Sequence, residues 1–108
     1  ALRHTIAEMA SRVEICKEFN YSIAKRLHDG GYVVKEASMS KLLSTKMADE
    51  VIYDALQLLG GYGYMEEYPM ARLLRDSRLG PIGGGTSEIL KEIIAKIIID
   101  GKEYKPAT

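Results

Sequence analysis

Leu2, Ile6, Met9, Val13, Cys16, Ile23 and Leu27 recur at the four-three spacing of one helical face, with Asn20 standing inside the stripe. The spacing predicts a helix over about residues 2–29, with Glu8 and Arg12 forming a local i, i+4 pair on its outer side. Asp29-Gly30-Gly31 stops it, because glycine accepts the left-handed position that closes a helix. A second helix is predicted over about 32–60. Ala48, Val51, Ala55 and Leu58 form one of its stripes, and Met39, Leu43 and Met47 another. From Val51 to Leu59 it is apolar nearly all round, which predicts burial on several sides.

Gly60, Gly61 and Gly63 end that helix, and Glu66-Glu67-Tyr68-Pro69 suits the start of the next, over about 69–79. Gly80-Pro81 breaks the third helix. Thr86 or Ser87 then caps a fourth over about 86–100, whose stripe is Ile89, Leu90, Ile93, Ile94, Ile97 and Ile98. Isoleucine is a modest helix former, so packing must hold this segment helical. The tail from Gly101 to Thr108 is expected to fray.

Two helices of about 25 residues joined by a tight turn, each about 40 Å long, predict an all-α, up-and-down helical bundle with two long and two shorter helices. The isoleucine-rich last helix carries more apolar face than two long helices can cover. A partner, from a further segment or another subunit, is therefore expected. The chain enters its apolar rhythm directly at Ala1, which suggests a piece of something longer.

Composition narrows the function. The 108 residues make one domain at most, 46% apolar, with 15 basic side chains against 15 acidic ones. Zero net charge removes the electrostatic footprint of a nucleic-acid binder. No apolar run reaches the ~18 residues of a membrane span. A lone cysteine, Cys16, excludes an internal disulfide, makes a metal site improbable and suits a reducing compartment. It falls on the apolar face and reads as an inert core thiol. No secretory signal pattern opens the sequence.

The candidate chemistry lies in two glycine passages. Gly83-Gly84-Gly85-Thr86-Ser87-Glu88 puts bare amides and two hydroxyls at a helix start, suited to a phosphate or an electron-rich ring edge, and equally to a hinge with an ordinary cap. No lysine follows the glycines, so it is not a phosphate loop of the nucleotide-hydrolase type. Gln57-Leu58-Leu59-Gly60-Gly61-Tyr62-Gly63-Tyr64 is either a helix stop with two tyrosines packed across it or backbone opened to a ligand. Arg72 and Asp76 stand i, i+4, which favours a structural ion pair over a phosphate contact by Arg72 or Arg75. His4 and His28 have no carboxylate partner at useful spacing, and Glu66 and Glu67 read as solvated loop residues.

Taken together, Gln57 to Tyr64, Glu67-Tyr68-Pro69, Arg75-Asp76-Ser77-Arg78 and Gly84-Gly85-Thr86-Ser87-Glu88-Ile89 resemble, in order and spacing, the C-terminal signature of the acyl-CoA dehydrogenases. The resemblance covers nearly all of 1–108 and implies that family's C-terminal helical domain as an incomplete bundle. It implies part of a flavoprotein oxidoreductase that removes two hydrogens from an acyl-CoA thioester. In that chemistry a glutamate takes the α proton and the β hydrogen leaves as hydride to FAD. Position by position, Thr86, Ser87 and Glu88 match the segment that contacts the FAD of the same subunit, and Gly85 matches a residue beside the substrate. Gln57, Leu58, Leu59, Gly60 and Gly61 match the segment that reaches the FAD of a neighbouring subunit. The implied partners are acyl-CoA, electron-transfer flavoprotein as acceptor, and further copies in a dimer or tetramer. The implied compartment is the bacterial cytoplasm or the mitochondrial matrix.

One position departs from the pattern. Gly84 stands where many members carry the catalytic glutamate; the long-chain and isovaleryl-type members also lack it there and supply it from the preceding helix. The resemblance therefore implies no catalytic base among these residues, and an isolated chain that holds no FAD, turns nothing over and self-associates through its apolar faces. Two alternatives remain: a stand-alone helical interaction module without catalysis, and a sibling such as an acyl-CoA oxidase.

Overall fold

The first apolar stripe folds as α1 (Leu2–His28) in the computed structural model, which describes residues 1–104. A Schellman-type turn closes it. Gly31 N–H donates to the Arg26 carbonyl at 2.8 Å and Gly30 N–H to Leu27 at 3.1 Å, with Gly30 at φ +83°. The chain then runs without regular structure to Val33, which is buried, so α2 (Val34–Leu59) starts two residues later than the sequence suggests. α3 (Gly61–Tyr64) is a single turn not anticipated from the glycines around it. α4 (Met70–Arg78) and α5 (Ser87–Asp100) follow, and no strand occurs among the described residues.

α2 is the axis of the fold. α1 packs on α2 and on no other helix, while α4 and α5 pack along α2 on their own account. α1 runs antiparallel to it: Arg12 reaches Glu50 and Asp54 at 3.8 and 3.7 Å, and the buried Ser40 donates to Asn20. Asn20, the polar gap in the stripe, is thus an interhelical acceptor. Arg12 pairs with α2 rather than with Glu8, because α2 offers two carboxylates where α1 offers one.

The second half of the chain retraces α2 from its C-terminal end. Gly63 packs on Leu56, Ser77 donates to Asp49 at 3.0 Å, Gly80 lies against Thr45, and Lys41 donates to the carbonyl of Gly85. Arg78 adds an ion pair to Asp49 at 3.7 Å. The backbone of Tyr104 donates to the Tyr32 hydroxyl, so residues 101–104 are tied to the α1–α2 turn rather than frayed. The rest of the predicted fraying, from 105 onward, falls outside the described residues.

Much apolar surface stays open. α1 packs through Met9, Arg12, Cys16, Phe19 and Ile23, a face rotated by about 60° from the stripe at the ~100° per residue of an α-helix. Leu2, Ile6, Val13 and Leu27 therefore remain 57%, 51%, 42% and 61% exposed. The C-terminal end of α2 is likewise not buried on several sides, since Tyr53, Leu58 and Leu59 are exposed. Leu43 and, on α5, Ile89, Ile98 and Ile99 are exposed too. Among the described residues the buried apolar side chains are Ile23, Val33 and Leu90. The physical reason is geometric: each neighbour covers one side of α2, and no second layer lies over them.

Two neighbouring glycines behave differently. A Cβ on Gly63 would meet the Leu56 carbonyl oxygen at 2.6 Å, whereas one on Gly61 meets nothing within 4 Å. Gly63→Ala is expected to destabilise the 108-residue chain by about 1–3 kcal/mol in urea unfolding, through overpacking. Gly61→Ala should stay within about 0.5 kcal/mol of the parent.

Candidate functional site

The loop between α4 and α5 is built by short bonds at its base. Gly83 N–H donates to the Leu79 carbonyl at 2.7 Å, and Ser87 N–H reaches back to Pro81 at 3.1 Å. Between them Gly84 and Gly85 take φ of +68° and +115°, a region that side-chain-bearing residues avoid. Thr86 is the cap of α5: its backbone is extended and its Oγ1 accepts from Ile89 N–H at 3.3 Å. Ser87 opens the helix, half-buried, and Glu88 is exposed in the first turn.

The N–H groups of Gly84, Gly85 and Thr86 find no acceptor among the described residues. Three successive donors at the positive end of a helix dipole, beside two hydroxyls, suit an anionic or electron-rich group. Of the two readings open at this loop, the ordinary cap is present and the donors lie beyond it. The loop's tie to the scaffold is Lys41, a residue the sequence did not single out. Its partner is 44 positions away, and no local spacing marks such a contact.

The other passage lies apart. Gln57, Leu58, Leu59, Gly60 and Gly61 are all exposed at the C-terminal end of α2. Lys41, which marks the height of the α5 loop, precedes Gln57 by sixteen residues, so the two passages are separated by about 24 Å along α2. The fold does not bring them to one ligand within a single copy.

Nearby polar residues are engaged structurally. Arg75 pairs with Glu66 at 2.9 Å, and this hydrogen bond, with the attraction of the same carboxylate, raises the guanidinium further above its ordinary value. The predicted Arg72–Asp76 pair does not form among the described residues. Arg75 and Arg78 turn to Glu66 and Asp49 instead; Glu66 is solvated, as expected, and is also an ion-pair partner. Tyr62 stacks edge-on against Tyr68 with ring centres 5.4 Å apart, leaving Tyr64 exposed, so the tyrosines do not pack across the stop as a pair. A groove of ≈ 580 Å³ is an open charged trench lined by residues such as Arg12, Asp49, Asp54 and Arg78. It touches neither glycine passage, and its carboxylates are occupied by arginines. No cluster of metal-ligating side chains occurs among the described residues.

A family model described as "Acyl-CoA dehydrogenase, C-terminal domain" matches residues 1–99. The chain belongs to the acyl-CoA dehydrogenase family. It is 42% identical over 96 residues to the Bacillus subtilis "Acyl-CoA dehydrogenase", covering 89% of this chain and 25% of that protein. It is 39% identical to the pig "Long-chain specific acyl-CoA dehydrogenase, mitochondrial", covering 94% of this chain and 24% of the relative. The solved acyl-CoA dehydrogenase of Geobacillus kaustophilus superposes with a TM-score of 0.88 at 40% identity, over 90% of this chain and 26% of that one. The chain thus spans about a quarter of the length of the relatives it matches. The fold expected from the sequence, an all-helical domain of this family, is the fold found. No helix among the described residues is long and apolar enough to cross a membrane.

Within this acyl-CoA dehydrogenase domain, the α5 cap offers a direct check on the loop. Thr86→Ala is expected to lower stability by about 1 kcal/mol and Thr86→Ser to restore most of it, measured by thermal or urea unfolding.

Proposed function

We propose that this chain is the cofactor-binding and assembly part of a flavoprotein that dehydrogenates acyl-CoA thioesters between their α and β carbons. The observation that carries the reading is the loop at the head of α5. There Gly84, Gly85 and Thr86 present successive N–H donors without an acceptor among the described residues, in a domain of acyl-CoA dehydrogenases. Thr86, Ser87 and Glu88 serve the FAD of their own subunit, and Gly85 lies beside the thioester. When bound, FAD supplies the hydride acceptor.

Gln57, Leu58, Leu59, Gly60 and Gly61 serve the FAD of a second copy. Two features support this. The passage stands about 24 Å along α2 from the α5 loop, by helical rise. Gly61 also has neither a positive φ nor a neighbour within 4 Å of a Cβ, so the chain's own fold gives no reason for its bareness. A close approach from outside does. The uncovered stripe Leu2, Ile6, Val13 and Leu27 favours assembly with further segments or copies into a dimer or tetramer. The acceptor of the electrons is an electron-transfer flavoprotein, and the compartment is the bacterial cytoplasm or the mitochondrial matrix.

The catalytic base is supplied from outside these residues. Gly84 has no ionisable group, and a Cβ there would meet only the Lys41 Cε at 4.0 Å, a cationic side chain rather than a carboxylate. Glu88 belongs to the cofactor side of the helix start.

The test is the visible spectrum of the longer protein that carries this domain. A flavin band is expected, together with acyl-CoA-dependent bleaching. A colourless protein that FAD cannot reconstitute contradicts the reading and favours an interaction module. The isolated 108 residues are expected to be colourless and inactive; turnover by them would place the base within this chain.

A further inference from the structure

Lys41 sits in the N-terminal third of α2, half-buried, with its ammonium on the carbonyl of Gly85. No carboxylate pairs with it among the described residues, although other basic side chains of this chain, such as Arg12, Lys35, Arg75, Arg78 and Lys96, do form ion pairs. An ordering cation that spends its charge on a single peptide carbonyl makes a charge-assisted bond, stronger than a neutral one. The carbonyl it holds belongs to Gly85, at φ +115°, and the stem of the same lysine lies 4.0 Å from where a Gly84 Cβ would be. Lys41 therefore lies against both residues of this loop whose φ is positive. Glycine has the widest choice of conformations, so a Gly-Gly pair holds one only where something outside it makes the choice.

We propose that Lys41 is the positioning residue of the α5 loop. Its bond to Gly85 selects the conformation in which the N–H groups of Gly84, Gly85 and Thr86 are presented together at the head of α5. The lysine acts through the loop and is not itself a contact to ligand. The assignment of that loop to FAD rests on the function proposed above, but the clasp stands on the contacts of this chain alone.

The two ideas separate experimentally. Amide hydrogen exchange on the 108-residue chain, without flavin, reads the clasp at Ser87, whose N–H closes the loop on Pro81. The Gly31 amide, bonded to Arg26 at the far turn, is the internal reference. Lys41→Met keeps the apolar stem and removes the donors. It is expected to speed exchange at Ser87 by about tenfold, the loss of one charge-assisted bond, and to leave Gly31 unchanged. Lys41→Arg should recover most of the protection. Unchanged exchange at Ser87 in Lys41→Met overturns the proposal. Equal acceleration at Ser87 and Gly31 also overturns it, because Lys41 is then a general scaffold residue. In the longer flavoprotein, Lys41→Met is expected to weaken FAD binding by a similar factor in equilibrium titration. A loosened loop with unchanged FAD affinity leaves the clasp standing and overturns the cofactor reading of the loop.

Discussion

Every other helix of this chain depends on contact with α2. α1 has no other helix to lean on, and α4 and α5 meet α2 separately. Hydrophobic burial is shared out along one rod instead of being enclosed, and among the described residues the buried apolar core comes down to Ile23, Val33 and Leu90. None of the described side chains leaves water completely. A domain built this way has its α2 axis specified from within and its outer faces left to whatever docks there.

Because the apolar core is thin, polar contacts set the register along the axis. Asn20 with Ser40 fixes α1, Ser77 and Arg78 on Asp49 fix α4, and Lys41 on Gly85 fixes the loop before α5. Each joins positions twenty or more residues apart, and the second half of the chain meets α2 in descending order. That descent puts the head of α5 beside the N-terminal third of α2 and leaves the Gly60-Gly61 end at the opposite tip. The separation of the two glycine passages thus follows from the order in which the chain retraces its own axis.

The four helices were legible in the sequence because periodicity and glycine punctuation are local. Gly30 closed α1, Thr86 capped α5, and both ends were readable from neighbouring residues. What was not legible depended on partners distant in sequence. The stripe Leu2-Ile6-Val13-Leu27 had the spacing of a packed face, but α2 engages α1 some 60° away, as the turn of about 100° per residue permits. Arg12 had a plausible local carboxylate in Glu8 and pairs with Glu50 and Asp54 of α2. Lys41 had no local signature at all. At the glycine passages the residues could be named from the motif order, whereas only the fold gives their spacing along α2.

That spacing carries the central claim, that one cofactor site is assembled from two copies of this domain. Subunit complementation in the longer flavoprotein tests it most directly. One variant, Gly61→Trp, blocks the α2 end, where the chain's own fold leaves open space; the other, Ser87→Glu, sets a carboxylate at the head of α5. Each alone is expected to lose flavin. If the passages of different copies meet on one FAD, co-expressing the two variants restores about a quarter of the parent's flavin, since a mixed pair contains one intact site of two. No recovery in mixed assemblies, with each variant alone still empty, would place both passages on the FAD of a single copy and contradict the account.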